Sequence, residues 1–215
     1  MNPTKLDHVA FWVAGRDAIA DFATANLGMH VIDRTGDFTL VGADARRGKL
    51  TLFAAEGPRE RGALKHVGWR VPDIHEELER ELGLGEDIHI HLVAGDDYDL
   101  DHVALFSADP ESTAAEYASF GFEAAEPGPS GCPRVGIGGA WIEFHPGEPG
   151  VPEKPLLNHI AVLVDSADEH IAAANDLGIE IDDVKDAPNT YAVFLRGPEG
   201  VRIEYVEHKP TFSLT

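Results

Sequence analysis

The chain has 215 residues, 43 % of them apolar, and its 17 Lys and Arg against 38 Asp and Glu give a formal charge of −21. That size suits one large or two small domains with a real core, and the charge argues against nucleic acid or anionic membrane as partners. The lone Cys132 excludes an internal disulfide and thiolate zinc sites, and the first apolar run, Val9 to Ala14, is far below the roughly 18–20 residues of a bilayer span; with no secretory leader visible, the expectation is a cytoplasmic protein acting on a small molecule.

The first predicted element is a strand opening Leu6-Asp7-His8-Val9-Ala10, then a helix over about residues 17–27 ended by Gly28. This unit closes with the strand Gly48 to Phe53. A second unit opens at Leu64-Lys65-His66-Val67-Gly68, continues with a helix over about 73–82 before Gly83, and closes with Ile88 to Leu92. The third opens at Leu100-Asp101-His102-Val103-Ala104. Its helix starts at Asp109-Pro110 and stops at Gly121, and its last strand is Ala140 to His145. The fourth opens at Leu157-Asn158-His159-Ile160-Ala161, has a helix between Ser166 and Gly178, and ends in two strands joined by the hairpin signal Gly197-Pro198-Glu199-Gly200.

Four self-similar units follow from this pattern. Successive histidines are 58, 36 and 57 residues apart, and those of the two halves are offset by 94 and 93. Duplication of a two-unit half is implied, with residues 1–97 and 98–215 as the halves and the boundary near Gly95 to Asp99.

A repeated strand–helix–strands unit that opens with Leu-x-His-Val/Ile and closes with an Ile-Glu-aromatic strand resembles the vicinal oxygen chelate superfamily. That superfamily includes glyoxalase I, bleomycin resistance proteins and extradiol dioxygenases. The resemblance implies an α+β fold of tandem strand-helix-strand-strand-strand modules, paired into two curved-sheet cups around a divalent metal.

Aligning Trp141-Ile142-Glu143-Phe144 on Arg202-Ile203-Glu204-Tyr205 superposes Glu143 on Glu204, whereas Leu52 takes that place in the first unit and the second has no acid there. The C-terminal half alone therefore keeps His and Glu in both units, and the N-terminal half reads as degenerate. His102, His159 and Glu204 match the dioxygenase ligand positions of the resemblance; adding Glu143 gives the glyoxalase-type set. Imidazole with carboxylate suits iron(II) first, or manganese, nickel or zinc. The same pattern also describes strands with one polar face and no metal.

The resemblance assigns His145, 14 residues before His159, an acid–base role toward a catecholate. Tyr191, three residues off register from the tyrosine of the dioxygenase signature (here Phe194), is the second catalytic candidate. The reaction expected is extradiol ring cleavage. The alternatives are a glyoxalase-, lyase- or isomerase-type enzyme working through an enediolate, or a resistance-type binder without catalysis; oligomeric state is open. His89 and His91 can join His8 and His66 in a second site, while His30, His75, His170 and His208 read as surface residues. Gly136-x-Gly138-Gly139 belongs to a hairpin rather than a phosphate loop, and Ser112 and Ser166 read as helix-start residues, not nucleophiles.

Overall fold

The computed structural model describes residues 1–72 and 81–215. Its elements are β1 (Lys5–Val13), α1 (Arg16–Asn26), β2 (His30–Arg34), β3 (Phe38–Asp44), β4 (Arg47–Ala54), β5 (Leu64–Val71), β6 (Glu81–Gly85), β7 (Ile88–Ala94), β8 (Asp99–Ser107), α2 (Pro110–Tyr117), β9 (Glu123–Ala125), β10 (Arg134–Ile137), β11 (Ala140–Pro146), β12 (Leu157–Leu163), α3 (Ala167–Leu177), β13 (Ile181–Asp186), β14 (Thr190–Arg196) and β15 (Arg202–His208). The predicted second helix falls largely outside the described residues; its last two positions, Glu81 and Leu82, open β6 instead.

Local chemistry sets the boundaries. Asp109 caps α2 by accepting from Ser112 N–H, and Ser166 caps α3 by accepting from Glu169 N–H, so the two serines have structural roles. Gly178 ends α3 at φ 68°, in the left-handed region that a residue with a Cβ resists. Gly138 and Gly139 form the β10–β11 hairpin as expected, and a Cβ on Gly138 would meet Thr4 O at 2.2 Å.

The strands form two mixed sheets of eight and seven, ordered β13-β14-β15-β12-β1-β4-β3-β2 and β6-β7-β5-β8-β11-β10-β9. The first joins the first and fourth units through antiparallel β1 and β12; the second joins the second and third through β5 and β8. Each sheet thus draws on both halves of the chain, and neither follows the division at residues 97/98 expected from the repeat.

Alternation along the opening strands puts Val9, Phe11 and Val13 of β1 in the core, and His8 on the opposite face. One apolar cluster links the backs of the two sheets. Fully buried Trp69 of β5 donates from Nε1 to Leu27 O just after α1 (2.9 Å), and Tyr205 of β15 donates to Phe120 O (2.6 Å). Burial pushes the Tyr205 phenol far above its usual range, so it remains a donor. The His-bearing faces point away from this core, and each lines a cavity, of about 440 Å³ in the first sheet and about 500 Å³ in the second.

Candidate metal centre

Register explains what meets what. In the first sheet His8 lies opposite Ala161 and His159 opposite Ala10; in the second His66 lies opposite Ala104 and His102 opposite Gly68. Each imidazole therefore sits across from a small residue and reaches its counterpart. Parallel pairing next supplies a residue from each unit's last strand. Ala161 pairs with Glu204 and Ala10 with Thr51 in the first cup; Ala104 pairs with Glu143 and Gly68 with His91 in the second.

The set expected from the sequence is therefore divided. His159 and Glu204 stand in the first cup with His8, whereas His102 and Glu143 stand in the second with His66 and His91. The physical reason is the pairing of opening strands, first with fourth and second with third, which brings His8 and His66 into the two clusters. Thr51, not Leu52, holds the carboxylate position of the first unit. Neither cup has two imidazoles and two carboxylates at these four positions.

In the first cup His8 Nε2 and His159 Nε2 are 3.0 Å apart, and Glu204 Oε2 is 3.2 and 2.9 Å from them. Donors held at about 2.1 Å by one octahedral ion are separated by about 3.0 Å on a shared face, against about 3.4 Å around a tetrahedral one. The triangle fits an octahedral face. Glu204 Oε2 is buried and accepts no well-directed hydrogen bond despite these short approaches, as befits an oxygen shaped for a shared cation. The far nitrogens are fixed. His8 Nδ1 faces Asp7 Oδ2 (2.8 Å), and His159 Nδ1 faces Asn158 Oδ1 (2.9 Å), which leaves both Nε2 atoms for the cup.

The charges of the triangle are strongly coupled. Burial opposes charge on His8, but Asp7 and Glu204 on either side raise it to about 9. Burial likewise works against the Glu204 carboxylate, yet His159 and His8 hold it well below the usual carboxylate range. His159 is pushed down by burial, with Glu204 opposing. Behind them Asp7, 1 % exposed, is also depressed: burial works against its charge, and Lys49, His208 and His8 outweigh it.

Phe38, Phe53, Phe194 and the C-terminal Phe212 give the first cavity aromatic walls. His208 lines it too, stacked on Phe212 at 4.3 Å with Nε2 3.2 Å from Asp7 Oδ1. It is not the surface residue expected, and neither is His170, which is buried and accepts from Asn2 N–H. His75 lies outside the described residues, and His30 is exposed. His208 was legible only as the fourth residue after Glu204, on the same strand face.

Tyr191 does not reach this cavity. Three residues from Phe194 along a strand, it points to the opposite face, where its hydroxyl donates to Asp168 (3.1 Å), a bond that pushes the phenol up. His145 is in the second cup. Its Nε2 is 3.4 Å from Glu143 Oε2, and its Nδ1 is 3.0 Å from Lys65 Nζ and 3.3 Å from Cys132 Sγ. Burial would raise Glu143, but His145 and the charge of His102 bring it below its ordinary value. Beside it, burial and the neighbouring His102 and His91 lower His66 to about 3.

A family model described as the Glyoxalase/Bleomycin resistance protein/Dioxygenase superfamily matches residues 5–82 and 99–205. The chain belongs to that superfamily. None of the curated proteins matches it at the level of sequence. Among solved structures, a candidate dioxygenase from Bacillus subtilis superposes with a TM-score of 0.79 at 14 % identity, covering 98 % of this chain and 87 % of its own. Glyoxalase I from Zea mays gives 0.68 at 15 % identity over 94 % and 92 %. The cppA protein of Streptococcus pneumoniae gives 0.63 at 14 % over 96 % and 99 %. At these identities the likeness is one of fold. Among the described residues, no helix is long and apolar enough to cross a membrane.

Proposed function

We propose that this chain is a metal-dependent vicinal oxygen chelate enzyme of the ring-cleaving dioxygenase type, with His8, His159 and Glu204 as the metal ligands and a catecholic substrate. The observation that carries the reading is the facial triangle of two imidazoles and one carboxylate in a Phe-walled cup, with Thr51 where a fourth charged ligand would stand. Two His and one carboxylate suit iron(II) and leave three positions open, enough for a bidentate catecholate and dioxygen together. A second carboxylate, which the enediolate alternative uses as its base, is not at the corresponding position, where Thr51 stands.

When bound, iron(II) supplies the chelation of vicinal oxygens and the redox chemistry toward dioxygen. The protein does the rest. Asp7 and Asn158 lock the two imidazoles by their Nδ1 atoms. Phe53 and Phe194, with ring centroids 6.2 and 5.2 Å from His159, flank the centre, exclude water and offer faces for a planar aromatic ring. His208, backed by Asp7, is the proton acceptor for a catechol hydroxyl, the part assigned from sequence to His145.

The test is anaerobic loading with iron(II), then oxygen uptake with a panel of catechols. Ring-opened yellow product from the full chain, and a loss of at least about a hundredfold in His208→Gln with iron content unchanged, support the reading. Oxygen uptake indistinguishable from free iron across the panel overturns it.

A further inference from the structure

The reaction proposed above uses one cup and leaves the other without a task, although a second set of donors gathers there. His66 Nε2 and His102 Nε2 are 2.9 Å apart, and the His91 ring centroid lies 5.3 and 5.8 Å from theirs. One nitrogen from each of the three falls within 4.8 Å of the others. The geometry points to a second metal centre, built from His66, His91 and His102 with no carboxylate ligand among the described residues, whose occupant is a small anionic chelator such as a dicarboxylate or 2-oxo acid.

The ligand chemistry follows from His91. It occupies the register position that Glu204 holds in the first cup, with Gly68 beside it in place of Ala161. The carboxylate at this cup's other last-strand position, Glu143, turns to His145 at 3.4 Å and Ser130 at 3.5 Å instead of joining the imidazoles. Three neutral imidazoles leave a divalent ion its full double charge, whereas Glu204 cancels one unit in the first cup. A set of nitrogens alone also shifts preference toward borderline ions such as zinc, nickel and copper.

The walls differ in the same sense. In place of four phenylalanines, this cavity presents Lys65 and Arg134, the latter stacked 3.9 Å over Trp141 and so held in place. Asp101 also lines it, but its carboxylate is 2.7 Å from His102 Nδ1, where it orients the ring. With Asp101 held by His102 and Glu143 by His145, Lys65 and Arg134 are the charged groups of this wall left to meet an anion. An oxygen chelator with two negative charges matches both the ion and the wall.

The inference is independent of the dioxygenase reading, and single-cup variants separate the two. Cobalt(II) is titrated into the full chain, His159→Ala and His91→Ala, with far-UV dichroism to verify folding; Glu204→Gln replaces His159→Ala if that variant is unfolded. Two equivalents in the parent and one in each variant are expected. Copper(II) loaded at one equivalent and read by pulsed electron paramagnetic resonance should report three imidazoles in His159→Ala and two in His91→Ala. Oxalate, the anionic probe, should perturb the cobalt spectrum of His159→Ala at a concentration about tenfold or more below that needed in His91→Ala. No cobalt in folded His159→Ala, fewer than three imidazoles there, or equal oxalate response in the two variants would overturn the inference. Loss of the equivalent retained by His91→Ala would instead count against the first cup alone.

Discussion

His8 and His159 lie 151 residues apart in sequence, and their Nε2 atoms lie 3.0 Å apart in space. Each ring stands opposite an alanine of the other's strand, Ala161 and Ala10, and each is held from behind by the residue before it. The same device recurs with His66 and His102, at 2.9 Å, across Ala104 and Gly68. A pair of imidazoles facing one another at this distance requires an absent side chain between them, which makes the small residue two positions after each histidine part of the site.

Gly68 is the sharpest instance. A Cβ there would meet the His102 ring at 2.2 to 2.7 Å, with no flexible chain end to yield. Gly68→Ala should cost about 1–3 kcal/mol through overpacking and strip metal from the second cup while sparing the first. Urea midpoints and metal content per chain check both parts; an unchanged cobalt titration would show that the ring has room to move.

Lys49 and Asp7 form a buried pair, 3 % and 1 % exposed, at 2.8 Å. Lys49→Met leaves the carboxylate without its main counter-charge and should destabilise the protein by about 3–5 kcal/mol at neutral pH, with partial recovery in Lys49→Met/Asp7→Asn. The pH dependence follows from the depressed Asp7. Its contribution to stability is complete above the ordinary carboxylate range and is lost as pH falls through its lower folded-state value. Removing Lys49 raises that folded-state value, so acid unfolding should begin at higher pH. Acid titration followed by near-ultraviolet dichroism gives the answer.

Tyr191→Phe removes only a hydroxyl bonded to exposed Asp168, and His145→Ala alters the other cup. Both variants should keep the iron content of the first cup and the catechol-dependent oxygen uptake within about twofold of the parent, since neither side chain touches the first cup and changes at separate sites act nearly independently. Steady-state assays decide; a hundredfold loss in either would restore it to the catalytic machinery.

Much of this architecture was legible in the residues. The four opening motifs, the helix caps at Asp109 and Ser166, and the Gly138-Gly139 hairpin all gave local signals that the fold keeps. The choice of partners was not legible, because the edge that joins two units is backbone hydrogen bonding and all four opening strands read Leu-x-His-Val/Ile-small. Nothing in such a strand distinguishes pairing of neighbours from pairing of first with fourth. Gly68, the one glycine among those small positions, marked a tighter ring contact but not its owner. Placing the carboxylate position at Leu52 rather than Thr51 was a register error of one, which in a strand moves a side chain to the opposite face. His91 was visible as a polar residue on an alternating strand; its meeting with His102 depends on pairing and could not be read.

Every ligand set above depends on the pairing of first unit with fourth, and ligand deletion in a single-cup background tests that pairing. In a chain carrying His91→Ala, which silences the second cup, iron(II) content and the nitric oxide adduct signal are compared for His8→Ala and His102→Ala. His8→Ala should abolish both while His102→Ala leaves both intact. Retention in His8→Ala together with loss in His102→Ala would contradict it, and would return the centre to the C-terminal half of the chain.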